Sequence, residues 1–213
     1  MTDDAPVWVV RLSQDPADPA LAPQEGGELV LLADVSDQFL QEEPRWRSVS
    51  ITKHASRAAV PEVVAGDERT TIAVSGRPLS VPPIPDPPAW DDVPHPPTED
   101  DPSVVVLHLI RFNEGGADDD MVSYQNAAGQ VAVPHGVRID GWFGIHDTLL
   151  GDGRTWDQVR FNAFPSRAAF LAVVFDPARL EAHKDHREVA IADTYTMILR
   201  PRVDTLAASH ATS

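Results

Sequence analysis

A twenty-residue stretch of this chain returns, altered but recognisable, 110 positions further on. Residues 45–64 align without a gap with residues 155–174, and eight of the twenty pairs are identical. Trp46 matches Trp156, Val49 matches Val159, Ser56-Arg57-Ala58-Ala59 matches Ser166-Arg167-Ala168-Ala169, and Val63-Val64 matches Val173-Val174. A shorter echo pairs Val9-Val10-Arg11-Leu12 with Leu109-Ile110-Arg111-Phe112. Self-similarity at a fixed offset is the mark of one structural unit built twice. The chain is therefore expected to fold as two related halves.

Between the copies, nine prolines fall within residues 82–102, interleaved with Asp and Glu. Proline has no backbone donor and fixes φ, so this segment can be neither a helix nor a central strand. It reads as an extended linker, with Trp90 as the residue that pins it to a folded surface. The expected organisation is a degenerate repeat at 1–81, the linker at 82–102, a complete repeat at 103–202 and a flexible tail at 203–213.

The second half shows the plan most clearly. Val104 to Phe112 is β-branched and apolar, a strand. Asp118 to Val133 opens on three acids, favourable at a helix N-terminus, and stops before Pro134 and Gly136. Val137 to Leu150 and Trp156 to Phe164 are strands separated by Gly151-Asp152-Gly153. Ser166 is a helix N-cap, followed by the i, i+3, i+4 stripe Phe170, Val173, Val174. Asp176-Pro177 breaks that helix, a second piece runs to Ile191, and Thr194 to Leu199 is the last strand. The order βαββαβ is the ferredoxin-like motif. The first half repeats it with strands at Pro6–Ser13, Glu28–Val35, Arg47–Lys53 and Thr70–Val74, and a helix at Ser56–Val64. Its first helix is replaced by a stretch containing Pro16, Pro19, Pro23 and Gly26-Gly27. A ferredoxin-like sheet has helices on one face only, and pairing two such sheets buries the other. The expected fold class is α+β: tandem ferredoxin-like repeats forming an intrachain, pseudo-dimeric α+β barrel.

Charge and composition remove several function classes. A net charge of −16 opposes nucleic acid and anionic membrane surfaces, both of which attract basic proteins. No apolar run reaches the length of a membrane span. The chain has no cysteine, which excludes disulfides, thiolate chemistry and Cys-ligated metals, and together with an acidic N-terminus fits a cytoplasmic protein. The acidic clusters Asp91-Asp92, Glu99-Asp100-Asp101 and Asp118-Asp119-Asp120 read as solvated loops and a helix start. No cofactor is expected, and the glycines form no phosphate loop.

Alternation places candidate site residues together. On the strand ending at Phe164, Val159, Phe161 and Ala163 are assigned to the helix side. Trp156, Gln158, Arg160, Asn162 and Phe164 then face the other half. The corresponding first-half set is Trp46, Ser48, Ser50, Thr52 and His54. Two polar sheet faces turned toward each other predict a wet cavity between the sheets. His108 joins that face from the preceding strand, and Arg138, Asp140, Trp142 and His146 join it from the long strand. The predicted pocket combines a general base (His108 or His146), an anion-stabilising Arg160, and a binding wall of Trp142, Asn162, Gln158 and Arg138. His183 and His186 share a helix face at i, i+3 and are the weak metal candidates.

Residues 103–201 resemble the domain-of-unknown-function 1330 family of the dimeric α+β barrel superfamily. The matching residues are Tyr124, His135-Gly136, Phe164-Pro165-Ser166-Arg167 with Phe170, Asp176-Pro177, and His186-Arg187 with Ala190 and Asp193. The family usually carries two histidines before that arginine, where this chain has Asp185-His186. The match covers a little under half the chain; the first half lacks the Tyr, His-Gly and His-Arg positions. The resemblance implies sheet-to-sheet pairing, here within one chain, with a further homodimer left open, and adds Tyr124 to the binding set. The superfamily includes cofactor-free monooxygenases, lactone isomerases, haem enzymes and plain ligand-binding domains, so fold alone does not fix function. The expectation is a small-molecule enzyme, a cofactor-independent oxygenase or an isomerase/cyclase acting on an aromatic or carboxylated metabolite. The alternatives are a non-catalytic metabolite-binding or protein-interaction module, and a haem- or metal-binding barrel.

Overall fold

Eight strands, every neighbouring pair antiparallel, close on themselves in a computed structural model that describes residues 4–17, 26–39, 46–62, 70–81, 84, 86–115, 119–151 and 153–210. The strands are β1 (Val7–Ser13), β2 (Glu28–Phe39), β3 (Ser48–His54), β4 (Thr70–Pro78), β5 (Val104–Phe112), β6 (Arg138–Leu150), β7 (Gln158–Phe164) and β8 (Ile191–Asp204). The helices are α1 (Asp119–Ala132), α2 (Arg167–Val174), α3 (Pro177–Ala182), α4 (Glu188–Ala190) and α5 (Leu206–His210), with a π turn at His183–Arg187 joining α3 to α4. Around the barrel the order is β1-β3-β2-β8-β5-β7-β6-β4. Each half contributes four neighbouring strands in the same relative order, β4-β1-β3-β2 and β8-β5-β7-β6. Two seams, β2 with β8 and β4 with β6, join the halves. Among the described residues the closed barrel leaves no sheet edge, so the backbone groups that an open sheet would present to other chains are satisfied internally.

The barrel interior is filled. Trp8, Val10, Leu12, Val49 and Ile51 from the first half meet Leu107, Leu109, Val159, Phe161 and Met197 from the second in one continuous cluster. Each large apolar side chain buried there contributes about 1.5–3 kcal/mol. The repeat-matched Trp46 and Trp156 both enter this core and flank Tyr195, with ring centroids 4.6 Å and 5.0 Å away.

This packing reverses the face assignment made from alternation. Val159, Phe161 and Ala163 point into the barrel, while Gln158, Arg160, Asn162 and Phe164 point out toward the helices. The predicted wet cavity between the sheets is accordingly a packed apolar core. The cause is general: period-2 alternation separates two faces without saying what covers either. Joining two apolar faces removes more apolar surface from water than joining two polar ones. Trp46 and Trp156 leave the polar set because each precedes its strand, where alternation no longer applies. A β-bulge in β6 makes a second correction. Ile139 pairs with Asn162 but Gly141 pairs with Phe161, so Asp140 is the extra residue. The bulge turns Ile139 to the Trp142 face and removes Arg138 from it, since Arg138 pairs with Ala163.

The segment around Trp90 lies against the second half. Trp90 Nε1 donates to the Gly136 carbonyl at 2.7 Å, and Arg138 stacks on its ring at 4.5 Å. Gly136 has φ +79° and a Cβ there would lie 3.1 Å from Trp90, so the close approach and the backbone both call for glycine. Asp101 accepts from Arg167 N and Ala168 N at the start of α2, and Ser166 caps the same helix through Ala169 N. In the first half, only Arg57–Ala59 of the helix expected at Ser56–Val64 forms, as a 3-10 turn; Val63 and Val64 lie outside the described residues, as does Asp118.

Of the tail expected to be flexible at 203–213, residues 203–210 are structured instead, and the last three lie outside the described residues. β8 continues to Asp204, and α5 closes one end of the barrel with Leu206 fully buried in the core. Trp8 Nε1 donates to Ser209 Oγ at 2.9 Å and Lys53 Nζ to the Ser209 carbonyl at 2.6 Å, which hold α5 in place. No helix of the described residues is long and apolar enough to cross a membrane.

Candidate functional site

The outer face of β5, β6 and β7 and the helices laid over it enclose a cavity of about 200 Å³. The strands set its floor by register. His108 of β5 is paired with Arg160 of β7, and Trp142 of β6 is paired with the same arginine from the other side. Three side chains from three neighbouring strands thus form one row facing the helices. Asn162 and Phe164 continue the row, and Tyr124 and Gln125 cover it from α1.

Hydrogen bonds lock this row. Trp142 Nε1 donates to Asn162 Oδ1 at 2.9 Å, fixing the indole plane. The Arg160 guanidinium lies 4.1 Å from the Trp142 ring, a cation–π stack. Gln158 Oε1 accepts from Arg160 Nε at 2.9 Å and from Nη2 at 2.6 Å. With its amide oriented to satisfy both partners, Gln125 accepts from Nη1 and Nη2 at 3.1 Å and 3.0 Å. Arg160 is only 5% exposed, yet every group fixing it is neutral. Burial pushes its pKa down to about 10, Arg187 adds to that and Tyr124 opposes it; it stays cationic at neutral pH.

His108 is half-buried, with the cavity along its open side. Nδ1 is shared with Thr196 Oγ1 of β8 at 3.1 Å, which leaves Nε2 for a ligand. Burial first, then the positive charges of Arg187, Arg160 and Arg179, lower its pKa to about 3. It is a neutral imidazole throughout the physiological range.

Other predicted residues fall elsewhere. His146 is exposed on β6, beyond the pairing with β7, and takes no part in the cavity. Arg138 lines a separate outer groove of about 840 Å³ and is committed to Trp90. Gln158 acts through Arg160, without lining the cavity itself. Trp142 and Ile139 form a wall common to cavity and groove. His183 accepts from Arg187 Nη1 at 3.0 Å and lies 3.7 Å from Glu188, a use that competes with metal ligation. Among the described residues no group of three or more His, Asp or Glu side chains could hold a metal. The cavity volume lies under the roughly 300–1,000 Å³ usual for drug-sized ligands, which favours a compact ligand.

Arg179 and Arg187 also line the cavity. With His183 they recur at every fourth residue, one face of a helical stretch. That spacing was the available signal for them, and pairing His183 with His186 overlooked it. Gln125 and Thr196 carried none, because each acts through a neighbour's side chain.

No family model and no curated protein matches this sequence. Solved structures do. An anthrone oxidase-like protein aligns over 93% of this chain and 92% of its own, with TM-score 0.58 at 13% identity. A chlorite dismutase variant from Candidatus Nitrospira defluvii, in complex with cyanide, aligns over 99% and 97%, with TM-score 0.51 at 12% identity. A candidate monooxygenase from Fusobacterium nucleatum aligns over 94% of both chains, with TM-score 0.51 at 9% identity. At these identities the likeness is one of fold. The chain is an α+β barrel of the dimeric α+β barrel type, with a small cavity under the helices of its second half.

Proposed function

We propose that the second-half cavity is the active site of a cofactor-independent oxygenase acting on a small aromatic or carboxylated metabolite. The observation that carries this reading is the row His108–Arg160–Trp142, direct cross-strand partners on three adjacent strands that line one cavity. His108 Nε2 accepts a proton from an acidified C–H or O–H of the substrate. Arg160 balances the resulting enolate or phenolate; its electron-rich carbon passes electrons to dioxygen, the co-substrate, and forms a C–O bond. The peroxide takes the proton back from His108, and loss of water from the hydroperoxide leaves a carbonyl. Trp142 and Asn162 orient the ring. Tyr124 completes the binding set from α1, in keeping with the resemblance to the domain-of-unknown-function 1330 family. In this reading residues 103–202 carry the chemistry, and residues 1–81, a diverged copy, complete the barrel.

The name of the anthrone oxidase-like relative makes anthrone the first substrate to assay, by oxygen uptake and product absorbance. His108→Ala and Arg160→Ala are expected to lower turnover at least about a hundredfold each. If both variants turn over an accepted substrate at the parent rate, the enzyme reading fails. The placing of His108 beside three arginines favours a second reading, a non-catalytic binding module: burial and those charges lower its pKa to about 3, which makes it a weak base. Ligand binding that survives both substitutions, with no turnover in the parent, would support it.

A further inference from the structure

Two sets of the described arginines contrast, with Arg138, stacked on Trp90, in neither. Arg57, Arg111, Arg154, Arg167 and Arg202 lie toward solvent, and each reaches an aspartate within 4.0 Å. Arg160, Arg179 and Arg187 converge on the cavity, and among the described residues none of them has an acid within that distance. Their partners are neutral: Gln158 and Gln125 for Arg160, the Val174 carbonyl for Arg179 at 3.1 Å, and His183 for Arg187. Among the described residues the cavity lining contains no Asp or Glu; Glu188, which favours the charged form of Arg187, lies outside it. This contrast occurs in a chain with 33 acidic and 17 basic residues, where an acid is the commonest counter-charge to hand. Grouping three cations around a partly buried space costs stability unless an anion completes them.

The π turn contributes to the arrangement. It lies between α3 and α4, places Arg187 on the cavity and sets His183 behind it as acceptor. Such turns concentrate at functional sites because the extra residue re-aims a side chain. The remaining wall is apolar, with Ile110, Met121, Ala128, Phe170 and Val173 facing the cations. A compact hydrocarbon body bearing one anionic group fits both sides, and the planar guanidinium fork matches a carboxylate.

We propose that Arg179 and Arg187 act with Arg160 as an anion clamp, and that the cavity's ligand is a small organic carboxylate whose apolar body packs between α1 and α2. This rests on reading the cavity as a ligand site and narrows the ligand class. It also supplies a reason for the weak base. A carboxylate offsets the three positive charges that help to depress His108, so the bound ligand itself raises the basicity of the group beside it.

The test is calorimetric titration of the full chain with acetate, benzoate, salicylate and succinate, each probe used separately, and with benzamide as the neutral counterpart of benzoate. Benzoate or salicylate is expected to bind at least about tenfold more tightly than benzamide, less tightly as salt is raised, and at least about tenfold more weakly to Arg187→Gln and Arg179→Gln. Arg200→Gln, on the exposed face of β8, should bind as the parent does. Should Arg187→Gln not fold, Arg187→Lys and an NMR titration of the parent's His108 replace it; added benzoate should move that titration toward higher pH. Equal binding of benzoate and benzamide, unchanged affinity in both variants, or no binding by any of the four carboxylates would overturn the proposal. Carboxylate binding through Arg187 without oxygen uptake by any substrate would leave the clamp standing and sink the oxygenase. Turnover of a neutral aromatic, unaffected by Arg187→Gln, would do the reverse.

Discussion

His108 lies among three guanidinium groups, and that neighbourhood fixes its charge. The folded chain keeps the ring neutral down to about pH 3, whereas an unfolded chain protonates it near 6.5. Below 6.5 the unfolded state binds a proton that the folded state refuses, so acid favours unfolding. The stabilising contribution is complete above 6.5 and is lost as pH falls toward 3. Replacing His108 with Gln retains a partner for Thr196 and removes the titration. The variant should lose about 1–2 kcal/mol less stability than the parent between pH 7 and pH 5, read from urea midpoints at both values. Equal losses would contradict the assigned burial of the ring. Alternation brought His108, Arg160, Trp142 and Asn162 to one face from their spacing alone. It misplaced His146 and Arg138, because a strand's period does not record where its neighbour stops or where a bulge intervenes.

Among the elements, strands were read most closely, since β-branched runs bounded by Gly and Pro leave little choice. The predicted β5 matches residue for residue, and Ser166 caps α2 as its position before an apolar stripe indicated. α5 was not legible. Its five residues are too short for a periodic signal, and only the barrel end that it fills makes them helical. That dependence is measurable. Leu206→Ala removes a fully buried side chain from the core, and the expected cost is about 2–4 kcal/mol in chemical denaturation. A loss under about 1 kcal/mol would show that α5 rests on the barrel without plugging it. The bond from Trp8 to Ser209 should weaken with it, visible as a shift in tryptophan emission.

At the scale of the molecule, the sequence echo pointed to two four-stranded sheets, and the structure has one eight-stranded barrel to which each half supplies four neighbouring strands. What the repeat could not convey was the sign of the pairing, apolar face to apolar face, with the polar faces turned outward. The seams carry a prediction. Expressed alone, residues 103–213 would present β6 and β8 as open edges with an apolar face between them. Two copies should therefore close on each other as a dimer, seen by light scattering on a sizing column. A folded, monomeric fragment would show that the first half is not needed to cover that face. In the intact chain the seams have a further consequence. Both partners hang on one covalent thread, so their encounter depends on tether length and not on how many molecules share the solution. Dilution, which dissolves assemblies of separate subunits, has no purchase on this one.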